Sequence, residues 1–230
     1  MTATKARKKP ARAANAPGLS LTDRAYGDLE EMIVTLQLPP GSAVSETALS
    51  QRLGIGRTPI REALQRLARE RLVTILPRRG IIVSEINVKS QLRLLEIRRE
   101  VERLVAKSAA RRSTPEERAR FLEIARRFER NAKTNDEVAF MRVDREFHDL
   151  SVLAARNEFA AGAMSLMHSL SRRFWFIHYK QAADLPLTAK LHADVARTIA
   201  AGDEAAAGKA IDRLLDTVTK FTRDTVTTDF

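Results

Sequence analysis

Apolar residues in the first third of the chain recur with the spacing of helices that bury one face. The first predicted helix opens at Ser20 or Thr22 and stops before Pro39, because a proline disfavours helical backbone at the residue before it. A second helix begins at Ser45, whose hydroxyl can cap it, and ends near Gly54, since glycine tolerates left-handed backbone. The apolar positions of the first helix are Tyr26, Leu29, Ile33 and Leu36.

A third helix is predicted from Arg57, with Pro59 in its first turn, where the missing N–H costs little. At about 100° per residue, its apolar and polar residues separate onto opposite sides. The apolar positions are Ile60, Ala63, Leu64 and Leu67. The polar positions are Arg57, Thr58, Arg61 and Gln65. The polar side is either an ordinary solvated face or a surface whose guanidiniums bind phosphates and guanine edges of DNA.

A hairpin is predicted directly after the third helix. Its two β-rich runs, Val73–Leu76 and Ile81–Ser84, are joined by Pro77-Arg78-Arg79-Gly80, which makes a doubly basic tip. Three helices followed by a basic hairpin form a winged helix-turn-helix, in which the helix after the turn enters the major groove. The hairpin therefore favours the DNA-binding interpretation of the polar face.

From residue 87 onward the pattern predicts helices only. Asn87 is a candidate cap, and Thr114 opens a capping box with Pro115 at the first helical position of a helix that ends near Lys133. Further helices are predicted at 136–155, 157–180, 186–201 and 203–226, which makes a bundle of about six. The aromatic residues interpreted as core are Phe121, Phe128, Phe140, Phe147, Phe159, Phe174 and Trp175. The expected fold is mainly α, with a winged domain at 18–85 and an all-α domain at 86–230.

Composition narrows the class of protein. The formal net charge is +11, and residues 1–85 carry 14 lysines and arginines against 8 acidic residues, which suits a polyanionic partner. With no cysteine, the chain has neither disulfides nor thiolate chemistry. No apolar run approaches the length of a membrane span, and the basic start has no apolar stretch typical of a secretory signal. We expect a cytoplasmic protein with a disordered basic arm at 1–17 and no membrane partner.

The winged segment, LPPGSAVSETALSQRLGIGRTPIREALQRLARERLVTILPRRGIIV at 38–83, resembles the GntR family of bacterial transcription regulators. The segments at 95–102, 144–148 and 191–214 are similar to the FadR subfamily, whose second domain is of the FCD type. The resemblance implies a homodimer that binds a near-palindromic DNA operator under the control of a small carboxylate effector. The DNA-contacting residues that it implies are Arg57, Thr58, Arg61, Gln65, Arg78, Arg79 and Gly80.

Two positions depart from the usual family pattern. Gly56 stands where many members have a serine before the Arg-Thr-Pro, so a capping hydroxyl is missing, although a glycine cap costs only a few tenths of a kcal/mol. Arg71 stands where the recognition helix usually ends in glycine. If the left-handed backbone is kept there, the expected strain is about 1 kcal/mol.

Asp144 and His148 are four residues apart on a predicted helix, within an apolar stripe. A carboxylate there needs a partner, so the pair is either part of a metal site or a carboxylate–histidine pair. The resemblance implies one divalent ion such as zinc and adds His192 as the third ligand, whereas Leu214 replaces the usual fourth ligand. These residues form an incomplete set, similar to two histidines and one carboxylate with open positions. His168 or His178 is either a substitute ligand or a packed histidine.

Arg98 has two interpretations. In relatives the matching arginine faces the pocket, where it would clamp an organic acid bidentately, but Glu102 one turn later is also a natural ion-pair partner. The function that the sequence supports best is an effector-controlled DNA-binding regulator, with repression relieved by ligand as the expected mode and no catalytic residues. The alternative is a metal-dependent hydrolase built on Asp144, His148 and His192. A purely structural nucleoid-type DNA binder would explain the charge but not the inward Asp/His pair.

Overall fold

The computed structural model describes residues 19–78, 80–182 and 184–227 and arranges them as a winged unit followed by a helical bundle. The winged unit contains α1 (Leu21–Val34), β1 (Ala43–Val44), α2 (Glu46–Leu53), α3 (Arg57–Arg69), β2 (Val73–Leu76) and β3 (Gly80–Val83). The bundle contains α4 (Val88–Arg112), α5 (Pro115–Thr134), α6 (Glu137–Ala155), α7 (Glu158–Ser165), α8 (His168–Ala182), α9 (Leu185–Ala201) and α10 (Glu204–Thr227). The predicted fold class, mainly α with an N-terminal winged helix-turn-helix, is confirmed. The basic arm predicted at 1–17 lies outside the described residues.

The helix ends of the winged unit follow the capping residues. The Ser45 hydroxyl accepts a hydrogen bond from the Ala48 N–H at 3.1 Å, and Gly54 has a φ of +65° at the end of α2. The predicted extension of α1 to Leu36 is wrong, since the chain turns there with a φ of +60°. That turn lets Leu38 enter the core in its place.

Helix α3 buries its predicted apolar face almost completely. It begins at Arg57 although Gly56 supplies no side-chain cap, as expected for a glycine N-cap. Arg71 has a φ of +61°, so the left-handed backbone usual for glycine is retained. Its N–H donates to the Ala68 carbonyl at 3.0 Å, and the Leu72 N–H donates to the Leu67 carbonyl at 2.9 Å. This pair of bonds is a Schellman motif, which holds Arg71 in its unfavourable conformation.

The hairpin is part of a three-stranded antiparallel sheet with the order β1-β3-β2. Val73 pairs with Val83 and Leu76 with Gly80, so the second strand begins one residue before the predicted run Ile81–Ser84, and Ala43 pairs with Ile82. Strand β1 was not predicted, because two residues are too few to show an alternating pattern.

The bundle matches the prediction except between residues 156 and 182. Asn87 caps α4, and the capping box at Thr114 is complete. The single helix predicted at 157–180 is wrong: a turn at 166–167 separates α7 from α8. No proline marks this turn, and Met164 and Met167 instead pack into a separate cluster with Val105 of α4. As part of the same correction, Phe159 on α7 is 82% exposed and not core.

Two main cores result, one in each part of the chain. The winged core is centred on Leu29, Ile60 and Leu72, and the bundle core on the other six predicted aromatic residues. Val34 at the end of α1 packs into the bundle core, and Leu170 of α8 packs against the winged core. The two parts are therefore joined by apolar contacts from both sides.

Within the described ranges, no helix is both long and apolar enough to cross a membrane.

Candidate nucleic-acid interface and buried pocket

The outer face of α3 carries the polar side chains that the sequence assigned to DNA contact. Arg57, Thr58, Arg61 and Gln65 are all exposed. The amphipathic spacing produces this arrangement, because every apolar position of the helix is used by the winged core. The face is thus free to approach a groove.

Arg61 is already bound within the protein. Its guanidinium donates to both carboxylate oxygens of Glu46 on α2, with Nε–Oε1 at 2.9 Å and Nη2–Oε2 at 2.8 Å. The hydrogen bonds from Arg61 hold the pKa of Glu46 below its ordinary value. The sequence pattern predicts Arg61 on the polar face but gives no sign of Glu46 as its partner, because the two residues lie on different helices.

The hairpin tip is partly described. Arg78 is exposed and has a φ of +62°, and Gly80 has a φ of +100° at the start of β3. These backbone angles turn the tip sharply between two strands. Arg79, the second basic residue predicted there, lies outside the described residues.

Helix α1 supports α3 from behind through polar contacts as well as through the core. The Thr22 hydroxyl donates to Glu62 at 2.6 Å, and the Tyr26 hydroxyl donates to Glu70 at 2.7 Å. The Arg66 guanidinium lies 3.6 Å from the centre of the Tyr26 ring. Burial and the bond to Glu70 raise the pKa of Tyr26, so the phenol stays protonated and keeps donating. A displacement of α1 therefore moves α3.

In the bundle, the predicted Asp/His cluster lines a small internal cavity of about 40 Å³. Its polar lining is Arg98, Glu102, Asp144, His148, Ser151, His168 and His192. A bound water needs about 10–15 Å³ by this measure, so the cavity holds about three waters or a few atoms of a ligand. Leu214 also lines it, at the position where relatives have a fourth ligand.

Asp144 lies between two histidines. Its Oδ1 is 3.3 Å from His192 Nε2 and its Oδ2 is 3.4 Å from His168 Nε2. Burial by itself would raise the pKa of Asp144, but the hydrogen bonds with His168 and His192 outweigh it and hold the pKa well below the usual range. The Asp144 side chain is therefore a carboxylate. Sequence analysis paired it with His148, whereas the structure pairs it with His168 and His192.

His148 stacks on His168 with ring centres 3.6 Å apart and an angle of 6° between the rings. Burial, together with the nearby His168, Arg98 and Arg172, lowers the pKa of His148 well below its ordinary value, so this ring is neutral. His178 is not part of the cavity lining and packs against Phe174, with ring centres 4.6 Å apart. Of the two candidate substitutes, only His168 lies in the cavity.

The donor types suit a divalent ion, but their placement does not. One carboxylate and two imidazoles are ligands that zinc accepts, and His192 Nδ1 lies 2.8 Å from the Thr188 carbonyl, an orientation common in histidine ligands. Across the described part of the chain, however, no group of three or more His, Asp or Glu side chains is arranged to hold a metal ion.

Arg98 forms the ion pair that was one of its two interpretations. Its Nε donates to Glu102 Oε1 at 2.6 Å, and both side chains are nearly buried at the cavity wall. A guanidinium has five N–H donors, so Arg98 can hold Glu102 and still donate toward the cavity. The pair thus neutralises Arg98 and fixes its guanidinium at the cavity wall.

The arginines at positions 172 and 173 of α8, both nearly fully buried, bind the winged unit. Arg172 donates to Glu30 of α1 at 2.9 Å, and Arg173 donates to the carbonyls of Ser84 and Glu85 at 2.9 and 3.3 Å. Neither contact could be predicted from the sequence, because charged residues within a helix that also carries six aromatic or histidine rings give no sign of the element that they meet.

Two protein families match the chain: the gntR family of bacterial regulatory proteins at residues 21–83, and the FCD domain at residues 93–217. An uncharacterised HTH-type transcriptional regulator of Streptomyces ambofaciens is 45% identical over 62 residues, which span 27% of this chain and 26% of that protein. The HTH-type transcriptional repressor RspR of Escherichia coli is 26% identical over 208 residues, 90% of this chain and 91% of the repressor. The structure of E. coli McbR/YncC, at 19% identity, has a TM-score of 0.78 over 91% of this chain and 100% of its own, which shows a shared fold.

Proposed function

We propose that this chain, which belongs to the GntR family with an FCD domain and is a DNA-binding transcription regulator and not an enzyme, is a homodimeric repressor of the FadR subfamily. In this proposal, a small carboxylate releases the repressor from a near-palindromic operator. A regulator of this kind works in the cytoplasm. The matched families give no support to the hydrolase alternative.

The observation that carries the DNA-binding role is the division of α3 into a buried apolar face and an exposed polar one, beside a basic hairpin tip. In this proposal Arg57, Thr58 and Gln65 contact bases and phosphates directly. Arg61 also contacts the DNA, either after its ion pair with Glu46 breaks or with that pair intact. Arg78, Arg79 and Gly80 of the hairpin approach the neighbouring backbone.

A homodimer follows from operator symmetry, since two recognition helices read two half-sites one helical turn apart. The surface proposed for it is the outer side of α4, where Ile97 and Leu104 are 58% and 49% exposed. They are seven residues apart, so they lie on one side of the helix. Exposed apolar residues aligned in this way are typical of a subunit contact.

The cavity beside Asp144 is the proposed effector site, with Arg98 as the group that binds the effector carboxylate. In this proposal, a ligand larger than a few atoms displaces part of the cavity lining, and this supplies the conformational change that regulation requires. A divalent ion stays a separate prediction. Asp144, His168 and His192 would hold it in place of the expected set with His148, but only after they move closer together than they stand in this structure.

The test combines DNA and ligand binding. Anisotropy titration with a labelled duplex from upstream of the gene, against a random duplex of equal length, should show preference for the first. A thermal-shift screen of short mono- and dicarboxylic acids, with and without chelator, should then find acids that raise the melting temperature and weaken binding to that duplex. Equal affinity for both duplexes at low salt would refute the DNA-binding role, and a screen without any shift would refute the effector class.

A further inference from the structure

Arg172 lies between the pocket and the winged unit. Its Nη1 donates to Glu30 of α1 at 2.9 Å, its Nη2 to Glu31 at 3.4 Å, and its Nε lies 3.8 Å from Asp144 Oδ2. The side chains of Arg172 and Glu30 are only 4% and 3% exposed. Arg172 is thus a buried cation shared by carboxylates from two parts of the protein.

Arg172 makes hydrogen bonds toward the winged unit but none toward Asp144. The Nη atoms of Arg172 make hydrogen bonds to the winged unit, whereas its Nε has no hydrogen-bond partner in the described residues and is beyond bonding distance of Asp144. A buried N–H without a partner is costly, so a small shift toward Asp144 would recover a bond. The guanidinium is therefore placed where it can favour either carboxylate.

Helices α6 and α8 each carry one residue that lines the pocket and one residue that binds Glu30 of α1. On α6, Asp144 faces the pocket and the next residue, Arg145, donates to Glu30 at 2.8 Å. On α8, His168 contacts Asp144 and, one turn later, Arg172 contacts Glu30. Glu30 is thus held by residues adjacent to pocket residues on two different helices.

We infer that Arg172 transmits the charge state of the pocket to the winged unit. This inference rests on the proposed function, and it names the device by which the effector site acts. Negative charge added next to Asp144 draws Arg172 toward the pocket and loosens α1. Loss of negative charge at Asp144 leaves Arg172 to Glu30 and holds α1 more tightly. Because α1 contacts α3 through Tyr26 and Thr22, the change reaches the recognition helix.

Hydrogen exchange of the full-length protein tests the connection without ligand, metal or DNA. The Asp144→Asn variant should slow amide exchange in α1 by about fivefold, the low end of coupling between linked sites. In a Glu30→Gln background, the same Asp144→Asn change should affect α1 much less, since Arg172 then keeps only the longer contact with Glu31 on that helix. The double-mutant comparison isolates the coupling from the effect of either change alone.

Two variants serve as matched controls. Glu146 lies on the same helix as Asp144, and Glu146→Gln removes its ion pair with Arg127 of α5. Asp28 lies on the same helix as Glu30, and Asp28→Asn removes its exposed ion pair with Arg24. Neither residue contacts Arg172 by hydrogen bond or ion pair in the described structure, so neither should change the Asp144→Asn effect. If Asp144→Asn does not melt cooperatively, Asp144→Ser replaces it. If Glu30→Gln does not, Arg172→Lys replaces it, because lysine lacks the fork of N–H donors that spans two carboxylates.

A shift in α1 exchange that is present in the wild-type background and much reduced in Glu30→Gln supports the inference. A shift of equal size in both backgrounds, or none in either, overturns it. Neither of these negative results touches the proposed function, because DNA and carboxylate binding are measured separately.

Discussion

Glu46 and Arg61 form a two-bond ion pair across the turn of the helix-turn-helix, with both distances below 3.0 Å. The pair is partly exposed, with 23% of the Glu46 side chain and 54% of the Arg61 side chain accessible, so it contributes little to stability. We expect the pair to matter for DNA binding, since Glu46 places a negative charge beside the surface proposed to meet phosphates.

We expect Glu46→Gln to increase affinity for duplex DNA of any sequence by about fivefold, equivalent to about 1 kcal/mol, because a repulsive charge is removed and Arg61 is freed. The gain should shrink as salt rises. Anisotropy titrations at two salt concentrations measure it. Weaker binding would mean instead that Glu46 orients Arg61 for its contact.

Arg57→Ala should weaken operator binding by about 1–3 kcal/mol and relax base preference, because an exposed guanidinium at the start of α3 can reach a base edge. Arg69→Ala, at the other end of the same helix, is the matched control and should cost less. Competition between operator and random duplex measures both. Unchanged discrimination in Arg57→Ala would defeat the assignment.

Replacing Arg71 by glycine should stabilise the protein by about 1 kcal/mol, because glycine adopts the φ of +61° without strain. The melting temperature should rise by about 2–4 °C for a chain of this length. Arg71→Ala, which keeps the strain, is the control. Equal melting temperatures for the two variants would show that the Schellman turn carries no strain worth relieving.

Leu214→His should raise affinity for a divalent ion, because it returns a donor to the cavity wall opposite an existing carboxylate and two imidazoles. Leu215→His is the control, since its side chain is equally buried but does not line the cavity. Zinc titration by calorimetry compares the two. If both variants bind zinc alike, the cavity is not the site.

Ile97→Asp should dissociate the proposed homodimer, since a carboxylate in an apolar contact loses its hydration. Light scattering after size exclusion should report half the wild-type mass at the same concentration. The matched control is Leu153→Asp, which changes a comparably exposed leucine on α6. A wild-type protein that is already monomeric would contradict the surface and the symmetry together.

The winged unit could be predicted almost entirely from the sequence, because local signals determine it. Ser45, Gly54 and the apolar period of α3 each act within a few residues, and each has the predicted effect. The turn at 166–167 could not be predicted, since it depends on where Met164 and Met167 find partners on α4. The Asp144 cluster was half predicted: helical spacing brought out His148, but His168 approaches Asp144 from another helix.

Arg173 binds the carbonyls of Ser84 and Glu85, and this contact limits which winged units and bundles can be recombined into one chain. A winged unit moved onto a different bundle would arrive with Glu30 deprived of Arg145 and Arg172, and with two backbone acceptors no longer covered. Recombination of the halves would therefore succeed only between chains whose bundles bring equivalent arginines to the junction. Compatibility at the junction, more than the sequence of either half, would decide which hybrid regulators can fold.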